Sequence, residues 1–241
     1  MHGFVHSIES FATFEGRGIR TAVFMSGCPL RCAFCHNPET WSPQGRKVLP
    51  EELAKQLLRF KPYFSRGGGI TFSGGEPLCQ AEFVLDTTTI LKASNINVAI
   101  DSSISVLNES VISLYQSLDF VIADLKFHSP ELYKSECKFD CFETVIKSLS
   151  YLHKSNIPVI LRTVIIPTIN DTIEDINAYF DLIKDFKNIT CYELKPFHTM
   201  GFGKYEDMRI YNPYQNLPDA DMSVVAMLQT HLNNLIKGAK H

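Results

Sequence analysis

Thr21-Ala22-Val23-Phe24-Met25-Ser26-Gly27-Cys28-Pro29-Leu30-Arg31-Cys32-Ala33-Phe34-Cys35 runs from a short apolar stretch directly into three cysteines spaced C-x3-C-x2-C. Residues 21–25 are apolar on both faces of an extended chain, the pattern of a strand covered on both sides in a parallel sheet. The same pattern recurs at residues 69–72, 97–100, 120–124, 158–164 and 189–194. Helical periodicity fills the intervals, at residues 50–60, 80–92, 106–116, 141–153 and 172–186. Pro50 followed by Glu51 and Glu52 suits a helix N-terminus, and Asp171-Thr172-Ile173-Glu174 offers a similar start.

Six strand-plus-helix units predict right-handed crossovers and a parallel sheet that curls toward a barrel. They are fewer than the eight of a closed barrel. The expected fold is therefore α/β, an open, partial (β/α)6 TIM-like barrel. A chain of 241 residues, 45% hydrophobic, fits this as one domain spanning 1–241. Its core lies at about 5–200, followed by a C-terminal loop and helix over about 199–241.

A net charge of −3 argues against nucleic-acid or anionic-membrane partners, which need concentrated Lys and Arg. Residues 1–6 lack a signal peptide's cationic start and apolar run, and no apolar stretch approaches the roughly eighteen residues that span a bilayer. The chain reads as soluble and cytoplasmic. Clustered cysteines in a reducing compartment point to metal or redox chemistry rather than a disulfide framework.

In such folds the chemistry sits beyond the C-terminal ends of the strands. The cysteines follow the first strand and Ser73-Gly74-Gly75-Glu76-Pro77 the second. Asp101 ends the third, Asp124 and Lys126 the fourth, Arg162 lies in the fifth, and Lys195 to His198 follow the sixth. Nearly every unusual polar residue thus falls on one rim.

Three thiolates so close along a loop can wrap one side of an iron–sulfur core. A four-iron cube on three ligands keeps one iron open, the usual mark of a reactive metal. Structural zinc would need a fourth ligand, and His36, adjoining Cys35, is badly placed to close the same tetrahedron. Gly74 and Gly75 either form a plain turn or let backbone approach a ligand. Asp101, Asp124 and Lys126 either form rim ion pairs or bind the charged groups of a ligand. Arg162 is a ligand contact or a satisfied core arginine, and His198 a ligand contact or a surface-loop histidine. Cys79, Cys137, Cys141 and Cys191 read as small apolar fillers or exposed thiols.

The C-x3-C-x2-C pattern with Phe34 before its last cysteine resembles the signature of the radical S-adenosylmethionine superfamily. That resemblance implies a single [4Fe–4S] cluster on Cys28, Cys32 and Cys35, whose open iron chelates S-adenosylmethionine and whose electron cleaves it to methionine and a 5′-deoxyadenosyl radical. It also implies Phe34 near the adenine and Gly74-Gly75-Glu76 against the methionine amino group. The likeness extends through His6-Ser7-Ile8-Glu9-Ser10, Gly16-x-Gly18-Ile19-Arg20, Cys35-His36-Asn37-Pro38, Thr40-Trp41, Gln80-Ala81-Glu82-Phe83, Asp124-Leu125-Lys126, Ile165-Ile166-Pro167 and Pro196-Phe197-His198. Over roughly residues 5–205 the order and spacing resemble the glycyl-radical-enzyme activating enzymes of the pyruvate formate-lyase type.

This narrower resemblance implies hydrogen abstraction from a backbone glycine of a glycyl-radical enzyme, a flavodoxin or ferredoxin as electron donor, and a monomer. Asp101, Lys126, Arg162 and His198 would bind S-adenosylmethionine. A monovalent cation would fall to Asp101, Ser102, Asp124 and the Ile122 carbonyl, with Ser102 standing where the family carries Thr. The glycine loop would cross Glu15, His36 and Asn37. The family usually reads D-G-P-G-x-R where this chain has Glu15-Gly16-Arg17-Gly18-Ile19-Arg20, a longer carboxylate and an added cation. No cysteine-rich insertion separates Trp41 from Glu51, which fits the single-cluster type. A small-molecule radical enzyme similar to 7-carboxy-7-deazaguanine synthase, or a zinc-stabilised binding module, are the competing expectations.

Overall fold

The computed structural model describes residues 1–64 and 67–239; Lys240 and His241, the end of the expected C-terminal segment, lie outside the described residues. The chain begins with β1 (Gly3–Ala12), β2 (Arg20–Met25) and β3 (Arg46–Val48), then α1 (Pro50–Leu57) and β4 (Gly69–Gly74). It continues through α2 (Ala81–Ala93), β5 (Asn97–Ser102), α3 (Glu109–Ser117) and β6 (Phe120–Asp124). Next come α4 (Pro130–Glu136), α5 (Phe142–Lys154), β7 (Val159–Ile165) and α6 (Ile173–Ile183). The last elements are β8 (Ile189–Pro196), α7 (Gly203–Asp207) and α8 (Met222–Gly238).

One sheet of eight strands runs β3-β1-β2-β4-β5-β6-β7-β8. From β2 to β8 every pairing is parallel, so the six strands expected from apolar runs form the open barrel wall. The end strands β3 and β8 do not pair with each other, which leaves the barrel open.

β1 and β3 join antiparallel outside this set and were not expected. Their signal is weak for a physical reason. β1 is half exposed, carries His6, Ser7, Glu9 and Ser10, and is bulged between Val5 and Ser7 and between Glu9 and Ala12, so no clean alternation survives. α4 was also missed, although Ser129-Pro130-Glu131 is a start signal: the Ser129 Oγ accepts from the Leu132 N–H at 3.3 Å and Pro130 opens the helix.

Under the sheet's N-terminal edge lies a fully buried cation. Arg20, 0% exposed, donates from Nε to Thr71 Oγ1 (2.7 Å), from Nη2 to the Ile70 carbonyl (2.6 Å) and from Nη1 to Asn97 Oδ1 (2.9 Å). Its guanidinium lies 5.0 Å from the Phe120 ring centroid, so one side chain ties β2, β4, β5 and β6 together. Burial lowers its pKa to about 10, which keeps it charged at neutral pH. Thr71 Oγ1 in turn donates to the Glu15 carbonyl at 2.7 Å, so the loop between β1 and β2 is held against the barrel interior.

Arg20→Met keeps the stem but strips donors from buried acceptors. Such a loss costs about 3 kcal/mol or more. We expect a clearly lower urea midpoint with an unchanged slope; an unchanged midpoint would show that Arg20 does not brace the barrel floor.

Candidate active site

A cavity of about 430 Å³ opens at the C-terminal ends of the strands. Its walls carry Cys28, Cys32, Phe34, Cys35, His36, Asn37, Gly74, Gly75, Asp101, Ser102, Asp124, Lys126, Arg162, His198 and Glu15. Two expected residues are elsewhere. Glu76 does not line the cavity, and Ile122 belongs to a barrel-interior layer with Ala99, Phe120 and Ile160.

The cysteine loop is fixed by backbone bonds to three other segments. Gly27 N–H donates to the Thr40 carbonyl (2.7 Å) and Cys28 N–H to Trp41 (3.2 Å). Arg31 N–H donates to Cys137 (2.8 Å) and Ala33 N–H to Glu136 (2.9 Å), hanging the loop on the C-terminus of α4. The Tyr205 hydroxyl donates to the Cys35 carbonyl at 2.9 Å. All three thiols are pushed upward, Cys28 and Cys35 by burial, Cys35 to about 11, and Cys32 by the neighbouring Cys137 side chain together with burial. A bound iron–sulfur core would favour their thiolate form.

The glycine turn lines the cavity and also packs backbone on backbone against the cysteine loop. Gly75 N–H donates to the Met25 carbonyl (2.9 Å) and Glu76 N–H to Gly27 (2.8 Å). A Cβ on Gly75 would stand 2.4 Å from the Gly27 carbonyl oxygen, and Gly74 has φ +95°. Both glycines therefore let the second turn zip onto the cysteine loop. The Glu76 carboxylate turns inward, accepting from Leu78 N–H (3.0 Å), Ser102 Oγ (2.7 Å), Ser103 N–H (2.9 Å) and Ser103 Oγ. It anchors the turn rather than facing the cavity. Ser102 is thereby committed to Glu76, and its Oγ also accepts from Ile104 N–H at 2.8 Å.

Charged groups ring the opposite wall. Arg162 reaches Asp101 (3.0 Å), Glu193 (3.0 Å) and the Phe14 carbonyl (2.6 Å), so it is a satisfied strut between β5, β7, β8 and the β1–β2 loop. Lys126 pairs with Asp124 at 2.9 Å and lies 5.7 Å from the Phe34 centroid. Burial opposes the Lys126 charge, yet Asp124 and the neighbouring thiols hold its pKa well above the ordinary range. Burial, with Asp124 and Glu15 nearby, raises Asp101 against the pull of Arg162.

Two buried polar atoms on the cavity wall have no partner, Glu15 Oε2 and His198 Nδ1. The His36 and His198 rings stack at 4.1 Å, and His36 Nε2 donates to the His198 carbonyl at 2.8 Å. Lys204, which sequence reasoning passed over, donates to the His36 carbonyl (2.9 Å), Asn37 Oδ1 (3.0 Å) and Glu39 (2.6 Å). Its only sequence signal is its place in a polar loop.

The radical SAM superfamily model matches residues 22–183. The pyruvate formate-lyase-activating enzyme of Clostridium pasteurianum is 38% identical, the match covering 98% of this chain and 99% of that protein. That of Listeria monocytogenes is 34% identical over 93% of this chain and 94% of its own. The chain belongs to the radical SAM superfamily, in the family of these activating enzymes. Solved structures repeat the fold. A domain of a pyruvate-formate lyase-activating enzyme from Bacteroides vulgatus superposes with TM-score 0.58 at 20% identity, covering 70% of this chain and 95% of that one. Streptococcus suis SuiB bound to its precursor peptide SuiA gives TM-score 0.69 at 14% identity, covering 91% of this chain and 46% of that one.

Radical SAM proteins use a [4Fe–4S] cluster and S-adenosylmethionine, and the residues here fit both. Three thiols, one buried and two half-buried, line a cavity whose wall also offers a largely buried ammonium and two unpartnered polar atoms. Among the described residues no three His, Cys, Asp or Glu side chains are grouped as a single ion requires. No helix among the described residues is long and apolar enough to cross a membrane.

The Glu76 network has a pH signature. Burial outweighs its hydrogen bonds and raises its pKa above the ordinary 4.5. The folded state then binds the proton more tightly than the unfolded state. Glu76 therefore contributes most stability below about pH 4.5 and loses it as pH rises through the raised value. Glu76→Gln removes this slope, so the difference in denaturation midpoint between the two proteins should change as pH rises above 4.5. A constant difference would mean that Glu76 titrates normally.

Proposed function

We propose that this chain activates a glycyl-radical enzyme of the pyruvate formate-lyase type. The observation that carries the reading is a cavity with three thiols on one wall and an unpartnered Glu15 carboxylate oxygen on another. Near-full-length relatives named as pyruvate formate-lyase-activating enzymes support it.

In this reading Cys28, Cys32 and Cys35 hold the cluster. When bound, the cluster supplies the electron that splits S-adenosylmethionine into methionine and the 5′-deoxyadenosyl radical that takes a glycine hydrogen. Lys126, already charged and buried, meets the methionine carboxylate, while Asp101 faces the ammonium. Gly74 and Gly75 hold the turn beside that end, Phe34 packs on the adenine, and His198 Nδ1 finds a partner on the nucleoside. Arg162 keeps Asp101 in place rather than touching the ligand itself. Asp124, which already neutralises Lys126, is the carboxylate best placed to share a monovalent cation. Glu15, His36 and Asn37 face the incoming glycine loop, which excludes water as it seats. A flavodoxin or ferredoxin supplies the reducing electron, and the activase works as a monomer in the cytoplasm.

Anaerobically reconstituted, reduced protein mixed with S-adenosylmethionine and pyruvate formate-lyase should give the glycyl-radical doublet by electron paramagnetic resonance, together with 5′-deoxyadenosine. Cys32→Ala should give neither. Abundant 5′-deoxyadenosine with no doublet would sink the activase reading while leaving the cofactors in place.

Lys126→Ala tests the binding site separately. Loss of a charge-assisted bond costs about 1–3 kcal/mol, so S-adenosylmethionine affinity on the holoprotein should fall roughly five- to hundred-fold by calorimetry. Unchanged affinity would leave Lys126 as a partner of Asp124 alone.

A further inference from the structure

A second pocket, of about 350 Å³, adjoins the cavity and has no part in the reading above. The two chambers share Phe14 and Arg162 as walls, while Arg17 and Glu193 line only the second. The loop between β1 and β2 divides them. Its Glu15 lines the cavity, and two residues further on Arg17 lines the pocket. The loop backbone is pinned at this divide, because the Phe14 carbonyl accepts from Arg162 (2.6 Å) and the Glu15 carbonyl from Thr71 (2.7 Å). Phe14 itself is 78% exposed and stands at the boundary of the two chambers.

The charges around the pocket are unevenly engaged. Glu193 already holds Arg162 at 3.0 Å and Lys195 at 2.7 Å. Arg17 is exposed and has no carboxylate partner among the described residues. Its guanidinium is therefore open to an anion, and a planar fork of donors suits a carboxylate. A backbone glycine, for its part, brings neighbours on both sides, at about 3.3 Å per residue in an extended chain. A cavity of about 430 Å³ is sized for one cofactor-like ligand, so those neighbours lie outside it.

We propose that Arg17 selects the partner's glycine loop by its charge: an Asp or Glu within a few residues of the target glycine enters the pocket past Phe14 and pairs with Arg17. A basic residue in the same place meets Arg17, with Lys195 and Arg162 close behind on Glu193, and is rejected. This inference rests on the activase reading and adds the chemistry of the loop that the site accepts.

The probes are short, fluorescently labelled peptides with a central glycine and Glu, Gln or Lys placed at each flanking position in turn. Binding to reconstituted holoprotein with S-adenosylmethionine, kept oxidised so that nothing turns over, is read by anisotropy. At low salt wild type should bind its best Glu peptide about three- to five-fold more tightly than the Gln counterpart, with Lys weaker still. The preference should shrink at high salt. Arg17→Gln should erase it, and Arg17→Glu should reverse it in favour of Lys. Affinity for S-adenosylmethionine should be equal in the three proteins, which separates a lost contact from a damaged fold. The same ranking in wild type and Arg17→Glu would overturn the proposal, as would no measurable binding of any peptide. A glycyl-radical doublet on pyruvate formate-lyase together with an unselective Arg17 would remove this inference alone. Absence of the doublet would remove the activase reading and this inference with it.

Discussion

Two backbone hydrogen bonds, from Gly75 to Met25 and from Glu76 to Gly27, make the cysteine loop and the glycine turn a single piece. Neither survives a side chain at Gly75, because a Cβ would sit on the Gly27 carbonyl. Parallel pairing of β2 with β4, in register from Arg20 with Gly69 to Met25 with Gly74, delivers both turns to the same height. Glu76 then fastens the piece to the end of β5 through Ser102 and Ser103. Three successive strand ends are thus locked before any cofactor arrives. That preorganisation lets three thiols keep a common orientation in a cavity that is otherwise open.

The charges across the cavity obey a second constraint. Asp101, Asp124, Lys126 and Arg162 are all largely buried, so each must find a partner. Arg162 is bonded through each of its three nitrogens, to two carboxylates and a carbonyl. Lys126 has one carboxylate and an aromatic face, which leaves donor capacity on its ammonium. The two cations differ in anchorage: Arg162 joins three segments of the wall, whereas the Lys126 ammonium has Asp124 as its one hydrogen-bond partner.

The six parallel strands were legible because burial on both faces writes an uninterrupted apolar run, and the rim rule then gathered the polar residues that end them. The antiparallel margin was not legible. β1 is half exposed and bulged, and β3 has three residues, two of them charged. The direction of the Glu76 carboxylate was not legible, for a physical reason. Its motif correctly marked a tight turn at the site, but a carboxylate's direction depends on Ser102 and Ser103, which are near neither in sequence nor in pattern. Lys204 and Cys137 act on the cluster loop from distant segments through backbone carbonyls, and contacts to carbonyls leave no trace in residue identity.

The β1–β2 loop shows how a sequence departure acquires physical content. The Phe14 carbonyl is held by Arg162 and the Glu15 carbonyl by Thr71, which Arg20 holds from below. The backbone beneath the Glu15 side chain is therefore fixed from two directions. From that anchor the Glu15 side chain carries its carboxylate one methylene further than an aspartate would. Desolvation raises its pKa, and Oε2 has no partner at the cavity wall. A buried oxygen in that condition is costly until something donates to it. The backbone N–H groups of an extended, glycine-bearing loop are donors of the right kind.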